Sequence, residues 1–348
     1  MSQARIHSLD GLRALAISLV LLAHLHSSHT FGVLDVLWRF ESLGDMGVRI
    51  FFVLSGFIIT TLLRREHLAT GRIGLTTFYV KRCLRIWPAY AVLLAVLGLA
   101  AVHGVQAVNG RDLLAAAAFV ANYIAVPRVL GHAWSLAVEE QFYLLWPLCI
   151  LVLGWRRAAF VALGFCLLAP ALRGFALRDP FAIKLVFWTR FEHAGDAIAW
   201  GCVYALAAER GLLWRPRQGI AALLAVGSVL GLLLLSTTGR WALAWSVVGV
   251  TFANLLAVAL LHGALHARET VVGAVLNAPV SRALGVLSYS LYLWQQVFVY
   301  GGFKLPAPYN LLAIFGVASL SYFVVEKPFL ILKDRMSRPP APLAATAS

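Results

Sequence analysis

The chain reads as an all-α, polytopic integral membrane protein with about ten transmembrane helices. Apolar residues make up 61% of its 348 positions and charged ones 13%, with a mean hydropathy of +0.82. A water-soluble core does not need that much apolar sequence. The apolar residues gather in segments long enough to cross a hydrocarbon core of about 30 Å. The 29 Lys and Arg, against 15 Asp and Glu, lie between those segments and give a formal net charge of +14. Cations in that position flank a membrane rather than form a nucleic-acid-binding face, so the lipid bilayer is the expected partner and no nucleic acid is.

Residues 1–10 form a short polar leader, and Asp10-Gly11 suits a cap for a first span over 12–30. The leader is not a cleavable signal, because no small-residue cleavage site precedes the next span. A loop over 31–44 leads to a second span, 45–63. The following stretch, RREHLATGRIGLTTFYVKRCLR, holds Arg64, Arg65, Arg72, Lys81, Arg82 and Arg85, a density of cations that marks the inner face. A third span covers 83–103. Residues 113–126 are short for a crossing, so 104–133 is expected as an outer loop or re-entrant element. Spans then follow at 134–154, 158–174, 190–208, 219–237, 241–262, 284–303 and 309–332.

With 113–126 not crossing, the clusters Arg156/Arg157, Arg210/Arg215/Arg217, Arg268/Arg282 and Lys333/Arg335/Arg338 all fall inside. Both termini are then cytoplasmic, in a multi-pass protein of a cell membrane. One transmembrane domain, 1–338, precedes a tail over 339–348 that is expected to be disordered. Cys83, Cys149, Cys166 and Cys202 lie in or beside apolar segments without metal-ligand spacing. They read as buried small hydrophobes, and no metal is expected.

Five stretches hold residues that could carry chemistry. Arg13 and His24 are eleven positions apart, a rotation of roughly three turns plus 20° on one helix. Both therefore point the same way, about 16 Å apart along the axis, with a cation at the surface and an imidazole near mid-depth. An ionisable side chain inside a span is a functional candidate, and the alternative for His24 is a hydrogen bond that glues two helices. His26 and His29 face elsewhere.

The stretch HAWSLAVEEQFYLLWP, His132 to Pro147, holds Glu139 and Glu140 with Trp134, Ser135 and Tyr143 around them. Adjacent helical residues diverge by 100°, so one glutamate could face a site while the other pairs with an arginine; desolvated carboxylates need such partners. The alternative is an interfacial anchor with an aromatic belt. Arg82 and Arg85, spaced i, i+3 in KRCLRIWP, suit bidentate recognition of a phosphate-bearing ligand as well as plain inner-face anchoring. Near the C-terminus, SYSLYLWQQ and SYFVVEKP read as helix ends with polar and aromatic packing.

These stretches together resemble the bacterial membrane acyltransferase family known as acyltransferase family 3. The residues that carry the resemblance are LDGLRALA with His24 eleven after Arg13, GVRIFFVLSGF at 47–57, KRCLRIWP at 81–88, AWSLAVEEQFY at 133–143 and LSYSLYLW at 287–294. The resemblance covers nearly the whole chain. It implies a ten-helix O-acyltransferase core with acyl-CoA, acetyl-CoA above all, as donor substrate and no permanently bound cofactor. It implies His24 as catalytic base or acyl-transfer residue, with Glu139 or Glu140 orienting the imidazole. Arg13, Arg82 and Arg85 would bind the donor; Asp10, Trp134, Ser135, Tyr143 and Gln295 would support the site.

The implied acceptor is a hydroxyl on a carbohydrate, a glycolipid or lipid-linked saccharide, or a molecule such as a macrolide. Direct transfer and an acyl-histidine relay both fit these residues. Many members have a histidine where this chain has Gln295, which can form hydrogen bonds but cannot move a proton at neutral pH. The chain is expected to be the stand-alone form, without the extracytoplasmic domain fused to some members. The competing class is a proton-coupled secondary transporter or lipid flippase, which would also use buried His, Glu and Arg. No repeat relates the two halves, and no pair of broken spans occupies matching positions.

Overall fold

A computed structural model describes residues 7–27, 42–176, 187–237 and 245–336. The expected loop over 31–44 falls almost wholly outside these residues, as do the tail 339–348, His29 and the side chain of His26. Among the described residues there is no β-strand.

The order of helices is α1 (His7–Ser27), α2 (Leu43–Thr70), α3 (Leu75–Val102), α4 (Gly110–Ala117), α5 (Ala133–Ala176), α6 (Phe191–Ala194), α7 (Asp196–Glu209), α8 (Gln218–Thr237), α9 (Val250–His266), α10 (Val271–Asn277), α11 (Pro279–Val299), α12 (Tyr309–Ser321) and α13 (Lys327–Arg335). A π-helical turn, Tyr322–Glu326, joins α12 to α13. Among the described residues, seven helical stretches are long and apolar enough to span a membrane. The pair α10–α11, bent by 51°, makes an eighth if counted as one span.

Helical segments occupy each of the ten expected places, with two departures. The expected spans 134–154 and 158–174 are the two helical halves of α5, which meet at a break at Gly154 (φ 74°, ψ 164°). Glycine adopts that left-handed φ without a Cβ clash, so the chain turns there without a loop. The expected span 190–208 is instead the single turn α6 followed by α7, whose 14 residues rise only about 21 Å. Asp10 is not a flanking cap but lies in the first turn of α1, where a carboxylate suits the positive end of the helix dipole. Residues 113–126 form no membrane-length helix: α4 ends at Ala117 and turns follow.

Helix α1 packs chiefly on α11 and α2, while α2 also packs on α7; α5 contacts α7, and α8 pairs with α9. Between helices in lipid, packing and hydrogen bonds replace the hydrophobic drive, and small residues let backbones approach. The α2–α7 crossing shows this. A Cβ on Gly56 would run into the carbonyl oxygen of Ile198, and one on Gly201 into that of Val53. A buried ion pair ties the end of α5 to the start of α7: Arg173 Nη1 lies 3.0 Å from Asp196 Oδ2 and also donates to the His193 carbonyl at 2.8 Å.

Because backbone cannot yield as a side-chain tip can, Gly56→Ala is expected to cost about 1–3 kcal/mol. Gly227→Ala on α8, where a Cβ meets nothing within 4 Å, should cost nothing. Thermal unfolding of both variants in one detergent checks the contrast.

Candidate active site

A cavity of about 1100 Å³ opens between α2, α3, α5, α11 and α13, with Arg13 of α1 in its wall. It follows α2 from Val48 to Ala69, roughly 30 Å of helix and close to the thickness of a hydrocarbon core. Its volume lies at the top of the range of about 300–1,000 Å³ for small-molecule sites, so it suits a large or extended ligand. Six cations line it, Arg13, Arg65, Lys81, Arg82, Arg85 and Lys333, against three carboxylates, Glu66, Glu139 and Asp334. An anionic ligand fits that surplus.

Sequence periodicity places the key side chains on this wall. Arg82 and Arg85, one turn apart on α3, both face the cavity, as do Ser135, Glu139 and Tyr143, spaced by four on α5. The Tyr143 hydroxyl lies 2.9 Å from Ser55 Oγ and 3.2 Å from Glu139 Oε2, its one proton shared between the two acceptors, and Ser55 Oγ donates to Glu139 Oε1 at 2.9 Å. The Arg82 guanidinium lies 4.1 Å from the centre of the Tyr143 ring. That cation–π contact holds its planar face while leaving its edge N–H groups for a ligand. Arg13 is oriented from below by Asp10, at 3.4 Å within one turn of α1.

His24 is not in the cavity wall. Its ring Cε1 lies 3.9 Å from where a Cβ of Gly44 would sit. Gly44 is one turn past Val48, the last α2 residue that lines the cavity. Hydrogen bonds span this gap. His24 Nδ1 donates to the Val20 carbonyl at 2.9 Å; a carbonyl only accepts, so the ring lone pair is on Nε2. Gln296 Nε2 donates to that lone pair at 3.1 Å. Gln296 Oε1 in turn accepts from the His132 backbone N–H and from His132 Nδ1, each at 2.9 Å. The hydroxyls of Ser135 and Tyr292, both in the cavity wall, bond to each other and to the His132 carbonyl oxygen. Hydrogen bonds on either side of His132, at its carbonyl and at its N–H groups, thus link the end of the cavity to His24.

The structure therefore gathers Arg13, Arg82, Arg85, Ser135, Glu139 and Tyr143 around one space, with Asp10 behind Arg13. Trp134 packs edge-on against Phe52, at 5.9 Å between ring centres, beside that space rather than in its wall. Three expectations are corrected. Among the described residues His24 bonds Val20 and Gln296, not Glu139 or Glu140, since Glu139 is taken up by Ser55 and Tyr143. Glu140 is not in the cavity wall, its Oε1 is buried without a hydrogen-bond partner, and no arginine among the described residues lies within ion-pair distance of it. Gln295 is fully buried with both amide atoms unpartnered, and its neighbour Gln296 meets His24 instead. The available signal was the stripe Ser288, Tyr292, Gln296 at a spacing of four, which puts residue 296 and not 295 on the site face.

A bundle of membrane-length helices surrounds a basic cavity, with a partly buried histidine beyond its end. The family model described as an acyltransferase domain matches residues 6–325, and the chain belongs to that family. It is 28% identical over 319 residues to the peptidoglycan O-acetyltransferase OatA of Listeria monocytogenes, covering 84% of this chain and 49% of that protein. It is also 28% identical over 368 residues to the O-acetyltransferase OatA of Staphylococcus aureus, covering 92% of this chain and 56% of that protein. The chain thus spans about half the length of these relatives. No solved structure matches it.

Proposed function

We propose that this protein moves an acyl group from acyl-CoA to a hydroxyl of a glycan or lipid-linked saccharide. Acetyl is the group chosen, because the relatives are named O-acetyltransferases. The observation that carries the proposal is the basic cavity joined by hydrogen bonds to His24. In the positive-inside reading the cationic end faces the cytoplasm, both termini lie there, and the donor enters from that side. Its phosphates meet Arg82, Arg85 and Arg13. Its extended pantetheine arm lies along α2 and brings the thioester toward Val48.

His24 is held as the neutral tautomer with Nε2 as the basic atom. The acceptor hydroxyl takes the place of the Gln296 N–H as the partner of Nε2. As His24 removes the hydroxyl proton, the oxygen attacks the thioester carbon, a C–O bond forms, the C–S bond breaks, and CoA leaves as thiolate. The proton on Nε2 then passes to that thiolate or to water. Glu139, fixed by Ser55 and Tyr143, offsets part of the cationic charge beside the donor.

The test uses purified protein in detergent, acetyl-labelled acetyl-CoA and a panel of sugar and lipid-linked acceptors. Label appearing on an acceptor, with equimolar release of CoA, is the expected result. Movement of unmodified solute across vesicles, with acetyl-CoA neither bound nor consumed, would establish the transporter class instead.

A further inference from the structure

We propose that Gln296 is the positioning residue for His24: its amide fixes the imidazole as the neutral Nδ1–H tautomer and covers Nε2 until a substrate hydroxyl displaces it. The amide has no freedom to do the reverse. Its oxygen accepts from a backbone N–H, that of His132, which can only donate. The NH₂ group is therefore the end that faces His24, at 3.1 Å from Nε2. His132 completes the clamp with its ring Nδ1 at 2.9 Å from the same oxygen, and His132 itself is 2% exposed. Its other ring nitrogen is buried without a hydrogen-bond partner, so the ring's one polar contact is the one that orients Gln296.

A donor aimed at Nε2 opposes a proton there. Polar and charged groups near the imidazole come from three elements among the described residues. They are Gln296 and Tyr300 from α11 and its end, the latter edge-on at 6.2 Å between rings, and His132 with Arg128 from the segment before α5. Arg128 reaches the far face of Tyr300, 5.7 Å from its centre. From α2 comes Asp45, next to Gly44. The inference deepens the acyl-transfer proposal by assigning the control of its base.

Gln296→Glu tests it with little change of shape. Either carboxylate oxygen still accepts both His132 N–H groups, but the side chain at 296 no longer donates to His24 Nε2, and the negative charge favours a proton there. Carbethoxylation of His24 by diethyl pyrocarbonate, followed by mass spectrometry across pH, reads the uncharged fraction without any donor or acceptor. The midpoint for His24 labelling is expected to rise by about one unit or more in Gln296→Glu. In Gln296→Met, which uncovers Nε2 without adding charge, labelling should be faster than in wild type, with a rise in midpoint smaller than that of Gln296→Glu. Equal midpoints and equal rates in all three proteins would overturn the assignment. Because the labelling needs no catalysis, that failure is separate from failure of the transfer reaction, which the acceptor assay reads.

Discussion

Replacing His24 with alanine is expected to lower acyl transfer by about 10²–10⁴-fold, the usual contribution of a positioned general base. The loss should fall on turnover and not on donor affinity, because His24 lies a helical turn beyond the cavity in which the donor is held. The fold should survive. Among the described residues His24 bonds its own helix and Gln296, whereas the α1–α11 contact rests on close backbone approach, as where Gly285 meets the Asp10 carbonyl. A stopped assay of CoA release beside a CoA-binding measurement separates the two quantities. Unchanged turnover in His24→Ala would remove the histidine from the chemistry.

The second large effect is expected from Arg82→Gln and Arg85→Gln. A hydrogen bond to a charged group contributes about 1.5–3 kcal/mol, which corresponds to roughly ten- to a hundredfold in donor affinity for each arginine. The two variants should differ. Arg82 is stacked on Tyr143 and loses that contact as well as its charge, so Arg82→Lys should restore only part of the binding. Donor binding should also weaken as salt is raised, since six cations face three carboxylates across an open cavity. Titration calorimetry with CoA at two ionic strengths checks both statements. Turnover at saturating donor should change far less than affinity.

Much of this site was legible in the sequence because helical periodicity says which residues of one helix share a face. Arg82 with Arg85, and Ser135 with Glu139 and Tyr143, share faces in that way, and the structure brings all of them to one cavity. What periodicity does not carry is the contact between helices. Ser55 lies within an apolar run of α2, and only the packing of α2 against α5 reveals it as the partner of Glu139. Gln296 and His132 are 164 positions apart and meet only when α11 packs beside the start of α5. The choice between Gln295 and Gln296 depended on helix phase at one residue, where neighbours point 100° apart. The break within α5 was legible for another reason: the span boundary read before Arg156 and Arg157 falls at Gly154, where a left-handed φ separates the two helical halves.

The most direct measurement is affinity labelling with chloroacetyl-CoA, an electrophile at the acyl position of the donor, with the alkylated residue mapped by mass spectrometry. If the cavity delivers the thioester to the histidine, His24 is alkylated, free CoA protects it, and Arg82→Gln with Arg85→Gln together suppress the reaction. CoA-protected alkylation at a position off that path, such as Cys149 or Cys202, with His24 unmodified, would contradict it.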